Sequence, residues 1–474
     1  MVVSGGSLRE TISYSQHLEA VHWLMSASTQ MQANETQSRV RIFLVRNVAA
    51  VRQAASVPDG SNIAGFYKTS EEGAYAVGPR QADSVGLKPE TVLFHEYAHH
   101  FMLQNSEVGY PAWYIEGFAE MFGASSFPSD GQIIFGDAPD FRGYELFTGS
   151  LTPTRRMLAQ PSAIDREAGH ASYGQYWLVT HYLTFDSARR SQLHNFITAL
   201  QNGQTVEQAN AAFVGGLDQL DADLRRYLRT NRFPSRRLTI PPNVMREPTV
   251  RTLSEGEVAS IGTELQLRRA IAVGATEELQ PLLASIGRLL DRYPNDPAIL
   301  MMRTRASFYA GRYADTVAAA DSALAVQPDN ARALAFKGMA MLLQRTEANG
   351  AIDAASLRQC REPIIRANRL DPEDQLPLIF FYRSYREASQ TPPLIALDGL
   401  YKAMRLVPRE HNIRMTLAQE YIRRRQLPYA RRVLIPLAYD PHPTSGQQYA
   451  LQLVQWIDGG ASGAPPVFVP VLVN

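Results

Sequence analysis

The chain has 474 residues, of which 45% are apolar and 20% charged, a composition typical of folded globular proteins and long enough for two or three domains. Its 47 Lys and Arg almost balance its 46 Asp and Glu, which argues against a nucleic-acid partner, because such partners require a basic surface. The single cysteine, Cys360, excludes a disulfide framework and a thiolate-rich zinc site. No run of 18 apolar residues occurs, so no transmembrane segment is predicted.

The first residues predict the end of a β-strand at 1–6, followed by a helix at 8–25. They lack the order of charged and apolar residues that marks a signal peptide. Because the chain as given can start inside a domain, the sequence leaves the compartment open, and export to the cell envelope stays among the possibilities.

The first half of the chain mixes strand and helix patterns. Apolar, β-branched runs at 40–45 and 73–77 predict strands, and two apolar-rich segments, 91–104 and 112–122, predict helices. We therefore predict an α+β domain over 1–232. Residues 233–259 contain several prolines and arginines without periodicity, which is typical of a linker.

The second half reads as helices separated by short turns. Prolines at 328, 372, 408 and 441 follow one another at spacings of 44, 36 and 33 residues, which indicates about four stacked helix pairs within 260–458. The segment 300–330 resembles a tetratricopeptide repeat, with Gly311 and Tyr313 at the turn, Ala323 in the second helix and Pro328 at its end. A nonrepetitive helical bundle is the alternative. We expect the Gly- and Pro-containing tail, 459–474, to be loosely held.

The pattern H-E-x-x-H occupies the first predicted apolar helix after the strands. Four residues turn a helix by about 400°, so His95 and His99 lie on one face and can bind one metal ion. Glu96 lies one residue round the helix, where it can serve as a general base without being a ligand. The alternative is a pair of core histidines satisfied by ordinary hydrogen bonds.

The next helix supplies the third ligand that a catalytic Zn²⁺ requires. Glu116 and Glu120 lie four residues apart on one helix face, and we assign Glu116 as the ligand. Glu120 can then accept a hydrogen bond from the distal nitrogen of a ligand imidazole, although the spacing alone also permits the opposite assignment. Gly117, inside this helix, predicts a close approach of the two helices at the metal.

These motifs resemble the gluzincin zinc metallopeptidases. The segment from His95 through His99 to Glu116, with sixteen residues between the last two, is similar to the aminopeptidase N branch over about thirty residues. The best match is an uncharacterised bacterial peptidase-MA-like group, in which a zincin-like domain precedes tetratricopeptide repeats. The resemblance implies that Tyr173 stabilises the oxyanion of the reaction, with His170 as a rival donor and an aromatic packing role as the alternative.

One departure from that branch affects the expected substrate. Aminopeptidases of this type carry a strand whose glutamate holds the substrate's free amine, and the strand at 73–77 lacks it. An edge strand there could still align an extended peptide, which favours an endopeptidase. We expect the repeats to bind the substrate or a protein partner. The alternatives are an adaptor with a structural or inactive zinc domain, and a zinc hydrolase that acts on a non-peptide amide or ester.

Overall fold

A computed structural model describes the chain over residues 1–29, 39–61, 63–81, 87–104, 110–128, 131–148, 151–159, 164–165, 170–171, 173–202, 204–349, 352–438 and 445–467. Within those ranges the protein is mostly helical, with a small mixed sheet near the N-terminus. The strands are β1 (Val2–Ser4), β2 (Val40–Asn47), β3 (Phe66–Ser70), β4 (Gly73–Gln81), β5 (Gln132–Phe135), β6 (Ile164–Asp165), β7 (His170–Ala171) and β8 (Arg236–Thr239).

Ten helices accompany these strands in the first half of the chain, as far as the structure describes it. They are α1 (Leu8–Thr29), α2 (Val48–Ala55), α3 (Pro89–Gln104), α4 (Ala112–Gly123), α5 (Gly143–Thr148), α6 (Thr154–Ala159), α7 (Tyr173–Phe185), α8 (Arg190–Gln201), α9 (Val206–Ala209) and α10 (Gly216–Thr230). Together with the sheet they form an α+β arrangement.

The second half consists of helices in the described ranges. They are α11 (Glu255–Val273), α12 (Leu279–Arg292), α13 (Pro297–Tyr309), α14 (Tyr313–Val326), α15 (Ala331–Asn349), α16 (Ala354–Leu370), α17 (Gln375–Glu387), α18 (Leu394–Leu406), α19 (His411–Arg423), α20 (Leu427–Ala438) and α21 (Ser445–Asp458). None of the described helices combines the length and the apolar character needed to cross a membrane.

The main sheet has the strand order β1-β2-β4-β3. Strands β1, β2 and β4 are parallel, and β3 joins antiparallel at the edge. The prediction that 73–77 is an edge strand is therefore wrong. Those residues belong to β4, which is buried from Gly73 to Pro79 and lies between two neighbours, while the more polar β3 forms the edge.

Both faces of this sheet are covered. Ile42, Leu44 and Ala76 pack into the large core that includes α1, α3 and α4. On the opposite face, Phe43 and Tyr75 pack against α2 and against Leu265 of α11. The first helix of the second half thus contributes to the core of the sheet.

The segment predicted as a linker, 233–259, contains two regular elements. Strand β8 pairs antiparallel with β5 of the first half, and α11 begins at Glu255 with a capping box on Ser254. Within the second half, α13 and α14 pack against each other and are joined by a turn at Gly311. The φ of Gly311 is 73°, a left-handed conformation that glycine adopts readily.

Helix α4 is buried along its whole length, from Ala112 to Gly123. A side chain at Gly117 would overlap the carbonyl group of Tyr176 and the hydroxyl group of Thr180, both in α7. The close approach predicted at Gly117 therefore exists, but its partner is α7 and not the helix of the H-E-x-x-H motif. Glycine is required there because two helix backbones nearly touch.

Candidate metal centre

Helix α3 carries the H-E-x-x-H motif across the core. Its apolar residues Leu93, Phe94, Ala98, Phe101 and Met102 are buried, which fixes the rotation of the helix about its axis. His95 and His99 consequently project together from the side that faces α4. The imidazole rings lie 4.7 Å apart, centroid to centroid.

The structure brings His95, His99 and Glu116 together at one point. The Nε2 atoms of the two histidines are 3.1 Å apart. The Oε2 atom of Glu116 lies 3.6 Å from Nε2 of His95 and 3.4 Å from Nε2 of His99. An ion bound tetrahedrally at about 2.0–2.1 Å from each ligand would separate the ligand atoms by about 3.3–3.4 Å. The triangle therefore has the dimensions of a zinc site.

The two imidazoles have opposite pKa shifts. Burial, together with the neighbouring His99, lowers the pKa of His95 to about 4. Burial also acts to lower the pKa of His99, but the Glu116 carboxylate outweighs it and the pKa lies above its usual value. A neutral imidazole is the form that binds a metal, so His95 is prepared as a ligand by its surroundings.

Glu96 lies beside the triangle and is held by the edge strand. Its carboxylate accepts a hydrogen bond from the backbone N–H of Tyr67 in β3. Burial raises the pKa of Glu96 to about 7, with Glu116 and Glu120 adding to the shift. A carboxyl group with a pKa near neutrality can both accept and return a proton at physiological pH.

Glu120 connects the site to a residue that the sequence did not predict. Its Oε1 atom lies 3.6 Å from Nδ1 of His95 and accepts a hydrogen bond of 2.5 Å from Nη2 of Arg142. Glu120 itself is 1% exposed. Arg142 ends a short 3₁₀ helix, Asp140–Arg142, and no periodic pattern relates it to α4. No local sequence pattern around Arg142 predicts its contact with Glu120.

Tyr173 begins α7 and lies next to the three candidate metal ligands. Its ring is 6.4 Å from that of His95, and the guanidinium carbon of Arg142 lies 4.8 Å from the centre of the Tyr173 ring. Burial raises the pKa of the Tyr173 phenol, as does the nearby Glu116 carboxylate, so the hydroxyl group keeps its proton. The side chain of His170, the rival donor, is not among those the structure describes.

The second half of the chain also reaches the site electrostatically. Arg409, just before α19, lies close enough to oppose protonation of His99. The charge of Arg409 also acts to lower the pKa of the Tyr67 phenol, but burial has the larger effect and raises that pKa. The sequence did not predict Arg409 near this site, because its position depends on how the two halves pack.

Comparison with known proteins gives no family. No protein-family model matches the sequence, and no curated protein matches it.

Proposed function

We propose that this protein is a zinc-dependent peptidase of the gluzincin type, with His95, His99 and Glu116 as the zinc ligands. The observation that carries the proposal is the size of the ligand triangle, whose sides of 3.1, 3.4 and 3.6 Å fit a tetrahedral ion. Two imidazoles and a carboxylate also form the ligand set of known catalytic zinc sites.

We infer a zincin-like fold for the first half, supported by the packing of α3 and α4 around the triangle and by the sheet edge above them. We infer tetratricopeptide-type repeats for the second half. Support comes from the helix pair α13 and α14, of 13 and 14 residues, and from further helices of similar length after it.

The residues around the triangle have complementary roles in peptide hydrolysis. When bound, zinc supplies Lewis-acid activation of water and of the scissile carbonyl group. Glu96 takes the proton from the attacking water and returns it to the leaving amine, as its pKa of about 7 allows. The hydroxyl group of Tyr173 donates a hydrogen bond to the developing oxyanion. Glu120 orients His95 through Nδ1, and Arg142 fixes Glu120 in place.

The surroundings of β3 favour internal cleavage over removal of an N-terminal residue. An aminopeptidase needs a carboxylate near the sheet edge to bind the free amine of its substrate. The acidic residues that follow β3 are Glu71 and Glu72, and both contact the helical half through their side chains. Neither serves as an amine anchor in this arrangement, so an extended peptide would be aligned by the backbone of the edge strand.

The test is hydrolysis of an unfolded protein by the parent and by Glu96→Gln, with zinc content measured in both. We expect equal zinc and a loss of rate of about 100- to 10,000-fold in the variant, because the general base is removed and the ligands are kept. Glu207→Gln, a change at an exposed glutamate, is the control and should keep the parent rate. Zinc without hydrolysis in the parent would contradict the proposal and favour a structural zinc domain or a non-peptide substrate.

A further inference from the structure

The turn between β3 and β4 is buried in the helical half of the protein. We call the surface formed by α11, α13, α15 and α17 the inner face. The side chain of Glu72 is 1% exposed and forms a bidentate pair with Arg305 of α13, with Nη2 to Oε2 at 2.6 Å and Nε to Oε1 at 2.8 Å. Arg305 also binds Glu264 of α11 at 2.6 Å. An acidic side chain of the first half thus completes an ion-pair network of the second.

The backbone of the same turn is bound as well. Nη2 of Arg332 donates to the carbonyl oxygen of Glu72 at 2.9 Å, and Nε2 of Gln375 donates to that of Glu71 at 2.9 Å. The hydroxyl group of Tyr309 donates to the Glu71 carboxylate at 2.8 Å. Three successive helices of the inner face, α13, α15 and α17, therefore hold the turn by side-chain and main-chain contacts.

The other end of β3 is attached to the helix of the metal ligands. Tyr67 donates its backbone N–H to the carboxylate of Glu96. Its hydroxyl group lies 3.1 Å from Nδ1 of His100. From Tyr67 to Glu71 the extended chain covers about 13 Å. The short strand β3 therefore connects the inner face directly to Glu96.

We propose that the helical repeats position β3 over the active site, and that Glu72 and Glu71 are the residues through which they do so. The inner face, which repeat proteins commonly use for ligands, here holds a di-acidic turn of the same chain. Loss of the turn contacts would let β3 move relative to Glu96. The part of this inference that concerns alignment of substrate rests on the proposed function, whereas the coupling of the turn to β3 does not.

The experiment measures hydrogen exchange of the Tyr67 amide in Tyr309→Phe. This change removes one hydroxyl group that binds the turn and keeps the aromatic ring. Tyr382→Phe is the matched control, because its hydroxyl group also donates to a buried glutamate, Glu420 of α19, and this hydrogen bond does not involve the turn. We expect the Tyr67 amide to exchange roughly 3- to 10-fold faster in Tyr309→Phe than in the parent or in Tyr382→Phe.

Glu72→Gln extends the test. We expect the amides of β3 to exchange faster in this variant than in Tyr309→Phe, because the charge that pairs with Arg305 is lost. If this variant fails to fold, Tyr309→Phe still decides. An unchanged Tyr67 amide in Tyr309→Phe would overturn the inference. Equal acceleration in Tyr309→Phe and Tyr382→Phe would also overturn it, because that result would indicate a general loosening of the repeats.

The exchange measurement requires neither zinc nor turnover, so it separates this inference from the proposed function. In an active enzyme, we also expect Tyr309→Phe to raise KM for a peptide substrate more than it lowers kcat, since zinc and Glu96 remain in place. A fall in kcat alone would contradict a positioning role for the turn. Absence of hydrolysis by the parent would count against the proposed function. The exchange measurement would still test whether the turn is coupled to β3.

Discussion

Two partly buried glutamates, Glu264 at the interface between the halves and Glu96 at the candidate metal centre, have opposite pKa shifts. Burial acts to raise the pKa of each carboxyl group. At Glu264 the guanidinium groups of Arg305 and Arg268 outweigh burial and lower the pKa to about 2. At Glu96, the nearby carboxylates of Glu116 and Glu120 add to the effect of burial, and the pKa rises to about 7.

The two clusters differ in the groups that surround their carboxylates. At the interface the acidic side chains Glu72, Glu264 and Asp374 each contact an arginine. This network joins the two halves through the pair of Glu72 and Arg305. At the metal centre, several carboxylates surround two imidazoles, and a divalent cation would be stabilised by them. The first cluster therefore has a structural character, and the second has the character of a binding site.

Among the changes that test this contrast, we expect Tyr173→Phe to have the largest effect, on the rate of peptide hydrolysis. If the phenol donates to the oxyanion, its loss should lower the rate of peptide hydrolysis about 100- to 1000-fold and leave zinc binding unchanged. Tyr182→Phe, on the same helix but beside Arg189, is the control. Steady-state kinetics on one peptide would measure both. A Tyr173→Phe enzyme with the parent rate would reduce Tyr173 to an aromatic packing residue.

A smaller effect is expected at the interface, where Glu264 links stability to pH. Because the folded pKa of about 2 lies below the usual value of 4.5 for a glutamate, ionised Glu264 stabilises the folded state above about pH 4.5. That contribution, about 3 kcal/mol, is lost as the pH falls from 4.5 towards 2. Denaturant unfolding of the parent and Glu264→Gln should show a difference in stability that is largest at neutral pH and shrinks in acid.

Glu277→Gln, a change at an exposed glutamate of the same half, is the control for that experiment and should show no such trend. A stability difference for Glu264→Gln that stayed constant from pH 7 to pH 2 would contradict the ion-pair account of the interface.

Local sequence patterns predicted the two helices that carry the candidate metal ligands. The helix expected at 91–104 extends from Pro89 to Gln104, and the one expected at 112–122 from Ala112 to Gly123. Helical periodicity and apolar burial are sufficient to place His95 and His99 on one face, and a second buried helix nearby offers Glu116. The strands at 40–45 and 73–77 also lie within observed strands, since their runs of apolar residues suit a buried sheet.

Long-range packing accounts for what the sequence did not predict. The place of β4 inside the sheet depends on β3, whose residues Phe66–Ser70 show no clear alternation of apolar and polar side chains. Arg142 meets Glu120 through an irregular segment, and Glu72 meets Arg305 across 233 residues of chain. No local pattern encodes such pairs, because they form only when separate elements pack together.

The most direct test of the central claim is zinc content after exposure of the metal-free protein to zinc and removal of the excess. The parent and His194→Ala, which changes an exposed histidine on α8, should each retain about one zinc per chain, whereas His99→Ala should retain far less, because one of three protein ligands is lost. Circular dichroism would verify that all three proteins are folded. Absence of zinc from the parent, or full retention by a folded His99→Ala protein, would contradict the assignment of the metal centre.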